Sequence, residues 1–291
     1  MNTFSIRDIE NLSGIKAHTL RIWEQRYHIF QPKRKASKHR FYDNEDLKQI
    51  LRVSLLYHNG YKISRIAALK EDQIKELTLS HHISNPYDLF ITQLVEASVD
   101  FDQERFEKIF HNIILYFGFE KSFLYVVYPF LVKIGLLWVT GNIVPAQEHF
   151  ASNIIRKKII LATDGLENAK VQTHKKVIIF APQEEHHELP LLLMQYLMKK
   201  NGITNVYLGT GKSWNDLHDY VEILKPTHLY CHIVTNLTEF SSDELVRKLC
   251  ENYPDLQIVL SGPFVTQITI LPKNLLLLNS LDEILEFGRN G

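Results

Sequence analysis

From Lys176 onward the chain changes period, and this change constrains the fold more than any other feature. Lys176–Ala181 is a continuous apolar run of strand length. Asn205–Leu208, His228–Val234, Gln257–Leu260 and Leu275–Leu278 are further candidates. Helical patterns lie between them at Pro190–Asn201, Trp214–Leu224 and Ser242–Asn252. Apolar strands alternating with helices predict a parallel sheet covered on both faces, an α/β flavodoxin-like (Rossmann-like) domain over residues 174–291. Ligands of such sheets sit at the carboxyl ends of the strands.

The preceding part reads differently. Tyr87–Ser98, Asp102–Tyr116, Glu120–Thr140 and Pro145–Glu167 carry helical periodicity, with breaks at Gly118 and Gly141-Asn142. Four helices with short connections predict an antiparallel four-helix bundle over residues 86–170. Its most apolar stretch, Phe123–Val139, is too short to span a bilayer and carries Lys133, so it reads as a buried helix. Residues 80–86 are polar and end in Pro86, a linker pattern.

Residues 1–79 form the third region, and here charge decides. Residues 1–70 hold 14 Lys+Arg against 6 Asp+Glu, a net +8; the rest carries −8, so the whole is neutral. A basic front on an acidic body implies that the front meets a polyanion. Ser5 can cap a first helix with Ile6, Ile9 and Leu12 on one face, and Gly14 permits a turn. In a second helix Thr19, Leu20, Ile22 and Trp23 are candidates to pack inward. Lys16, His18, Arg21 and Arg26 then lie on or near the exposed side. The run Phe30–Tyr42 suits a β-ribbon wing whose Lys33, Arg34, Lys35, Lys38 and Arg40 track phosphates. Asp43-Asn44 cap a third helix, and Gly60 separates it from a fourth, Ile63–Leu69.

Thr19–Tyr27, Pro32, Arg40-Phe41-Tyr42, Asp46-Leu47, Gly60 and Ile66 together resemble the signature of the MerR family over residues 3–70. The resemblance implies an all-α winged helix-turn-helix, in a DNA-binding transcriptional regulator rather than an enzyme. Its second helix enters the major groove. Lys16, His18, Thr19, Arg21 and Arg26 would face the groove, and Tyr27, Arg34, Lys38, Arg40 and Tyr42 the phosphates. Trp23 belongs to the core. The expected partner is a near-palindromic double-stranded operator, bound by a dimer or tetramer. Pro86 interrupts any long dimerising helix after the head, so the later domains must supply association.

Trp138, Glu148-His149 and Glu185-x-His187, on a helical bundle followed by a flavodoxin-like sheet, resemble the cobalamin-dependent MerR-type photoreceptors that repress carotenoid genes. The resemblance implies cobalamin, as adenosylcobalamin or methylcobalamin. Trp138, Glu148 and His149 would lie over its upper face, and Glu185 would orient His187, the lower cobalt ligand. Four departures bear on this. Pro190 stands where the family has Gly, and Cys231-His232-Ile233 where it has Ser at the third strand's end. Ser261-Gly262 replaces paired glycines, and Val139 stands where light-sensing members have a His. Bulk at the strand ends narrows the channel for the cofactor's nucleotide tail, and valine cannot coordinate metal.

Two readings of the sensory domain stay open: a cobalamin-controlled change of oligomeric state, or a cofactor-free domain used for oligomerisation or protein interaction. A cobalamin methyltransferase is the third candidate, opposed by the DNA-binding head. His186, His187, His228 and His232 fall near strand ends without regular metal-ligand spacing. Cys231 and Cys250 lack redox or metal spacing, and with no secretory pattern at the N-terminus the expected compartment is the cytoplasm, not a membrane.

Overall fold

The computed structural model describes residues 3–34, 40–79, 86–139, 145–167, 174–235 and 241–290, without the side chains of Arg34, Leu79, Trp138 and Val139. The chain divides into two compact units, Met1–Ile154 and Ile155–Gly291.

The first unit begins with helices α1 (Ile6–Ser13) and α2 (Ala17–Tyr27), strands β1 (Lys33–Arg34) and β2 (Arg40–Phe41), and helices α3 (Asn44–His58), α4 (Ile63–Ile66) and α5 (Glu71–Leu79). Local chemistry sets these boundaries. Ser5 and Asp43 each accept the N3 amide of their helix, while the N3 carboxylates of Asp8 and Asp46 take the cap amides in return. Gly14 ends α1 in the left-handed region at φ 71°, and His58 sits against it. The wing is a two-residue antiparallel ribbon, Lys33 opposite Phe41 and Arg34 opposite Arg40. Its expected tip, with Lys35 and Lys38, lies outside the described residues. The fourth helix is shorter than Ile63–Leu69, ending at Ile66, and α5 follows as a separate element.

Helices α6 (Pro86–Val99), α7 (Gln103–Phe117), α8 (Phe119–Ser122), α9 (Tyr128–Val139) and α10 (Pro145–Asp164) come next. The stretch expected as one helix from Glu120 is interrupted by a π-helical turn, Phe123–Val127, where the Tyr128 amide reaches back to the Phe123 carbonyl. Pro129 follows immediately; a regular α-helix would drive its ring into the carbonyl four residues back, and the wider turn relieves this. Phe106, Phe110, Phe130 and Ile134 form the core here, and Phe150 of α10 stacks edge-on against Phe101 and Phe106. Burial of each such side chain contributes about 1.5–3 kcal/mol. The apolar stretch is buried on one side only: Tyr125, Tyr128, Val132 and Leu136 are exposed. No described helix is long and apolar enough to cross a membrane.

Ion pairs join head to bundle. Arg52 of α3 meets Glu96 of α6 through two bonds of 2.8 and 2.9 Å, and Arg105 of α7 reaches the same carboxylate at 2.6 Å. Lys48 pairs with Asp100 at 3.0 Å.

The second unit holds β3 (Lys176–Pro182), α11 (Leu189–Lys200), β4 (Thr204–Lys212), α12 (Trp214–Leu224), β5 (His228–His232), α13 (Ser242–Asn252), β6 (Gln257–Ser261), a 3-10 turn (Pro263–Gln267), β7 (Leu275–Leu278) and α14 (Leu281–Arg289). The five strands are parallel in the order β4-β3-β5-β6-β7. This is the flavodoxin-like order, in which successive connections reverse direction between β3 and β5. Both faces are covered. Met194 and Met198 of α11 and Phe287 of α14 join one core with Leu217 and Val221 of α12 and Leu245 and Leu249 of α13. Continuous apolar runs such as Val177–Ala181 are what a sheet buried on both faces requires.

Candidate functional site

The surface expected to face DNA is built on α2. Leu20, Trp23 and Glu24 turn inward, and Trp23 meets Tyr57 edge-on with ring centroids 4.8 Å apart. His18, Arg21 and Arg26 are exposed and Thr19 is half-buried. Lys16, at the helix start, is exposed and paired with Glu10 at 2.9 Å. Arg26 lies over the half-buried Tyr27 ring, 5.4 Å from its centroid. Ile22 does not pack inward; it is 50% exposed on the same side as the cations.

Tyr42 requires a correction. Expected at a phosphate, it is fully buried, and its hydroxyl donates to Glu24. Burial and that carboxylate push its phenol pKa well up, so it stays a neutral donor. Arg40, half-buried, lies 3.3 Å from the same carboxylate, which ties the wing to α2. Sequence reasoning missed Glu24. The spacing Leu20, Trp23, Glu24, Tyr27 marks the inner face of a helix and carries the signal. Lys38 and the Arg34 side chain lie outside the described residues.

In the first turn of α10, Glu148 is half-buried and His149 exposed, with Nδ1 3.0 Å from the Glu148 carboxylate. Ser152 also donates to Glu148. The Trp138 side chain lies outside the described residues.

At the sheet's topological switch point, the loop after β3 carries Glu185 and His187. Glu185 is wholly buried. Its Oε2 accepts from the amides of Val234 at 2.7 Å and Thr235 at 3.0 Å and from the Thr235 hydroxyl, all just beyond β5. Its Oε1 accepts from the His187 amide at 2.8 Å and lies 2.6 Å from His187 Nδ1. Burial alone would raise this carboxyl's pKa. The donors from His187, Thr235 and Val234 outweigh it and hold the pKa at about 2. An ionised Glu185 can only accept, so Nδ1 carries the proton, and in the neutral ring the lone pair sits on Nε2. Two loops are thus clamped by one carboxylate across the crevice where such sheets bind ligands. Val234 and Thr235 were invisible as partners in the sequence, because they contribute backbone amides from 49 and 50 residues away.

Beside this crevice, the ends of β5 and β6 are filled. His232 Nδ1 lies 2.9 Å from Ser261 Oγ, which also bonds the buried Tyr230 hydroxyl at 2.8 Å. Burial lowers the His232 pKa to about 4, so this imidazole is neutral at pH 7. Gly262 has φ 95°, and a Cβ there would stand 2.3 Å from the Ile233 carbonyl oxygen and 3.1 Å from His232 Nε2. Pro190 is accommodated in the first turn of α11, where a missing amide costs nothing. Among the described residues, no three His, Cys, Asp or Glu side chains gather as a metal-binding cluster.

Residues 4–73 match the MerR HTH family regulatory protein model, and residues 90–162 match a B12 binding domain. This chain is a MerR-type transcriptional regulator with a B12-binding domain. It is similar to the HTH-type transcriptional repressor CarH of Myxococcus xanthus, 23% identical over 259 residues that cover 87% of this chain and 86% of the relative. The HTH-type transcriptional repressor CarA of Myxococcus xanthus is 26% identical over 210 residues, 71% of this chain and 68% of the relative. Among solved structures, the Methanosarcina barkeri monomethylamine corrinoid protein superposes with a TM-score of 0.54 at 13% identity, over 67% of this chain and 95% of that one, which establishes the likeness of fold.

The donor set of this regulator fits a corrinoid's lower ligand: an imidazole held in one tautomer by an ionised, buried carboxylate is the arrangement that raises ligand basicity and fixes ring orientation. Among the described residues, His232, Ile233, Ser261 and Gly262 pack closely at the ends of β5 and β6, where a nucleotide tail would need space.

Proposed function

We propose that this regulator, working in the cytoplasm and without catalytic turnover, binds a near-palindromic DNA operator as a dimer or tetramer and represses transcription, and that a corrinoid controls this assembly. On this reading Lys16, His18, Thr19, Arg21 and Arg26 face the major groove. Tyr27, Arg34, Lys38 and Arg40 hold the backbone. Residues 1–79 act as the DNA-binding domain, 86–170 as the cap and 174–291 as the cofactor domain.

The observation that carries the reading is the Glu185–His187 pair at the switch point of a chain that also matches a B12-binding domain. His187 would ligate through Nε2, Glu185 would keep the proton on Nδ1, and Trp138, Glu148 and His149 would cover the opposite face. When bound, adenosylcobalamin or methylcobalamin would supply a cobalt centre that can exchange a ligand. The protein's part is linkage: a ligand that prefers one assembly about tenfold shifts its equilibrium by about 1.4 kcal/mol, and DNA affinity follows.

A second reading is favoured by one observation, the packing of His232, Ile233 and Gly262 at the strand ends. There the sheet domain takes no cofactor and serves association alone. Incubation with adenosylcobalamin in the dark, gel filtration and an absorbance spectrum separate the two. Co-eluting corrinoid that is lost or spectrally altered in His187→Ala supports the first. A colourless protein peak with both adenosylcobalamin and methylcobalamin supports the second.

A further inference from the structure

Where the DNA-binding head meets the helical bundle, a cleft of about 390 Å³ opens inside the first unit. One wall is the head's α3 and α5, the other the bundle's α6 and α7. Clefts of this size at a joint between domains are favoured places for small ligands.

Its charge is unbalanced. Arg52, Lys75, Arg105 and Lys108 line it, against the single carboxylate of Glu96. Glu96 is 3% exposed, and both its oxygens are taken by the two guanidinium groups. Outside the lining, the exposed Glu71 lies 3.6 Å from Arg52. Lys75 of α5 and Lys108 of α7 are exposed, one on each wall, and neither is ion-paired among the described residues. The two arginines are oriented by Glu96, so their forks are preorganised rather than mobile. Asn112 adds an amide, and Leu55 and Ile109 give part of the lining an apolar character.

We propose that this cleft binds a small molecule with two or more negative groups, carboxylate or phosphate, and that the ligand bridges head and bundle. Two fixed guanidinium groups with a lysine on either wall offer converging charge-assisted donors to separated anionic groups. A ligand touching both walls holds the head in one position relative to the bundle, so its binding and DNA binding are coupled reciprocally. This input is separate from the sheet domain and stands whether or not that domain takes a corrinoid.

The test is calorimetric titration of the full chain with citrate and with pyrophosphate at fixed ionic strength. The expected result is saturable binding of at least one anion, one per chain, with a Kd of about 1 mM or tighter. Lys75→Ala/Lys108→Ala, which alters only exposed side chains, weakens it at least about tenfold, the loss of two of four cations. Arg21→Ala, on the DNA-facing surface, leaves it unchanged. Three results overturn the proposal: no saturation by either anion, wild-type affinity in the double variant, or loss of binding in Arg21→Ala, which places the anion on the DNA-facing surface instead.

Discussion

Replacing Glu185 with glutamine removes a charge and also one of two accepting oxygens. The carboxylate takes the Val234 and Thr235 amides on one side and the His187 amide and ring on the other. Glutamine must turn its NH2 towards one of these donor sets, leaving buried donors facing a donor. Each unsatisfied buried donor costs about 1–3 kcal/mol. Proton linkage gives a similar figure. Holding the pKa at about 2 rather than 4.5 corresponds, at about 1.4 kcal/mol per pH unit, to about 3 kcal/mol of stabilisation by the ionised form. Because the folded pKa is depressed, this stability is fully present above pH 4.5 and is lost as pH falls through about 2.

Native-state hydrogen exchange of the full chain reads the effect locally. In Glu185→Gln the amides of His187, Val234 and Thr235 exchange about 100-fold faster at pH 7, matching about 3 kcal/mol. The acid-dependent loss of protection expected of the wild type between pH 4.5 and 2 disappears with the titrating group. Protection within a factor of about three of wild type, with the acid limb intact, would refute the clamp.

Other predictions follow the same logic. Gly262→Ala places a methyl against the Ile233 carbonyl in a left-handed backbone, so the sheet unit loses at least about 2 kcal/mol in urea unfolding; an unchanged midpoint contradicts the close approach. Glu96→Gln leaves Arg52 and Arg105 without a buried carboxylate and costs about 3–5 kcal/mol, seen as melting of the first unit at lower temperature. Arg26→Ala weakens DNA binding and, if it meets a phosphate, lowers the slope of log affinity against log salt by about one; a base contact instead relaxes sequence preference at one position. Tyr42→Phe removes the hydroxyl bond to Glu24 and costs about 1–3 kcal/mol of head stability; a direct phosphate role for Tyr42 requires instead a lower salt slope at unchanged stability.

Much of the architecture was legible because it rests on period. Parallel strands buried on both faces are runs such as Val177–Ala181, and capped helices announce themselves as Ser5 and Asp43 do. What escaped depends on partners distant in sequence or on local irregularity. The strand expected at Asn205–Leu208 continues to Lys212 through Gly209 and Gly211, both at positive φ, which propensity reads as a break. Helix α14 was not anticipated; Gly288 sits in it close against Leu197 and Met194, a contact only tertiary packing reveals. The exposed Ile22 and buried Tyr42 misled because hydrophobicity was taken for inward orientation and the phosphate role of Tyr42 was carried over from the family resemblance. The Glu185–His187 pair was visible as a spacing, but its rigidity comes from Val234 and Thr235.

The central claim is that a corrinoid held at His187 governs DNA affinity. The direct measurement is fluorescence anisotropy of a duplex selected from random sequence by the purified regulator, titrated in the dark with and without adenosylcobalamin at one salt concentration. The account predicts at least about a tenfold difference in Kd between the two states, abolished in His187→Ala while the ligand-free affinity stays intact. Equal affinities with and without the corrinoid would contradict it.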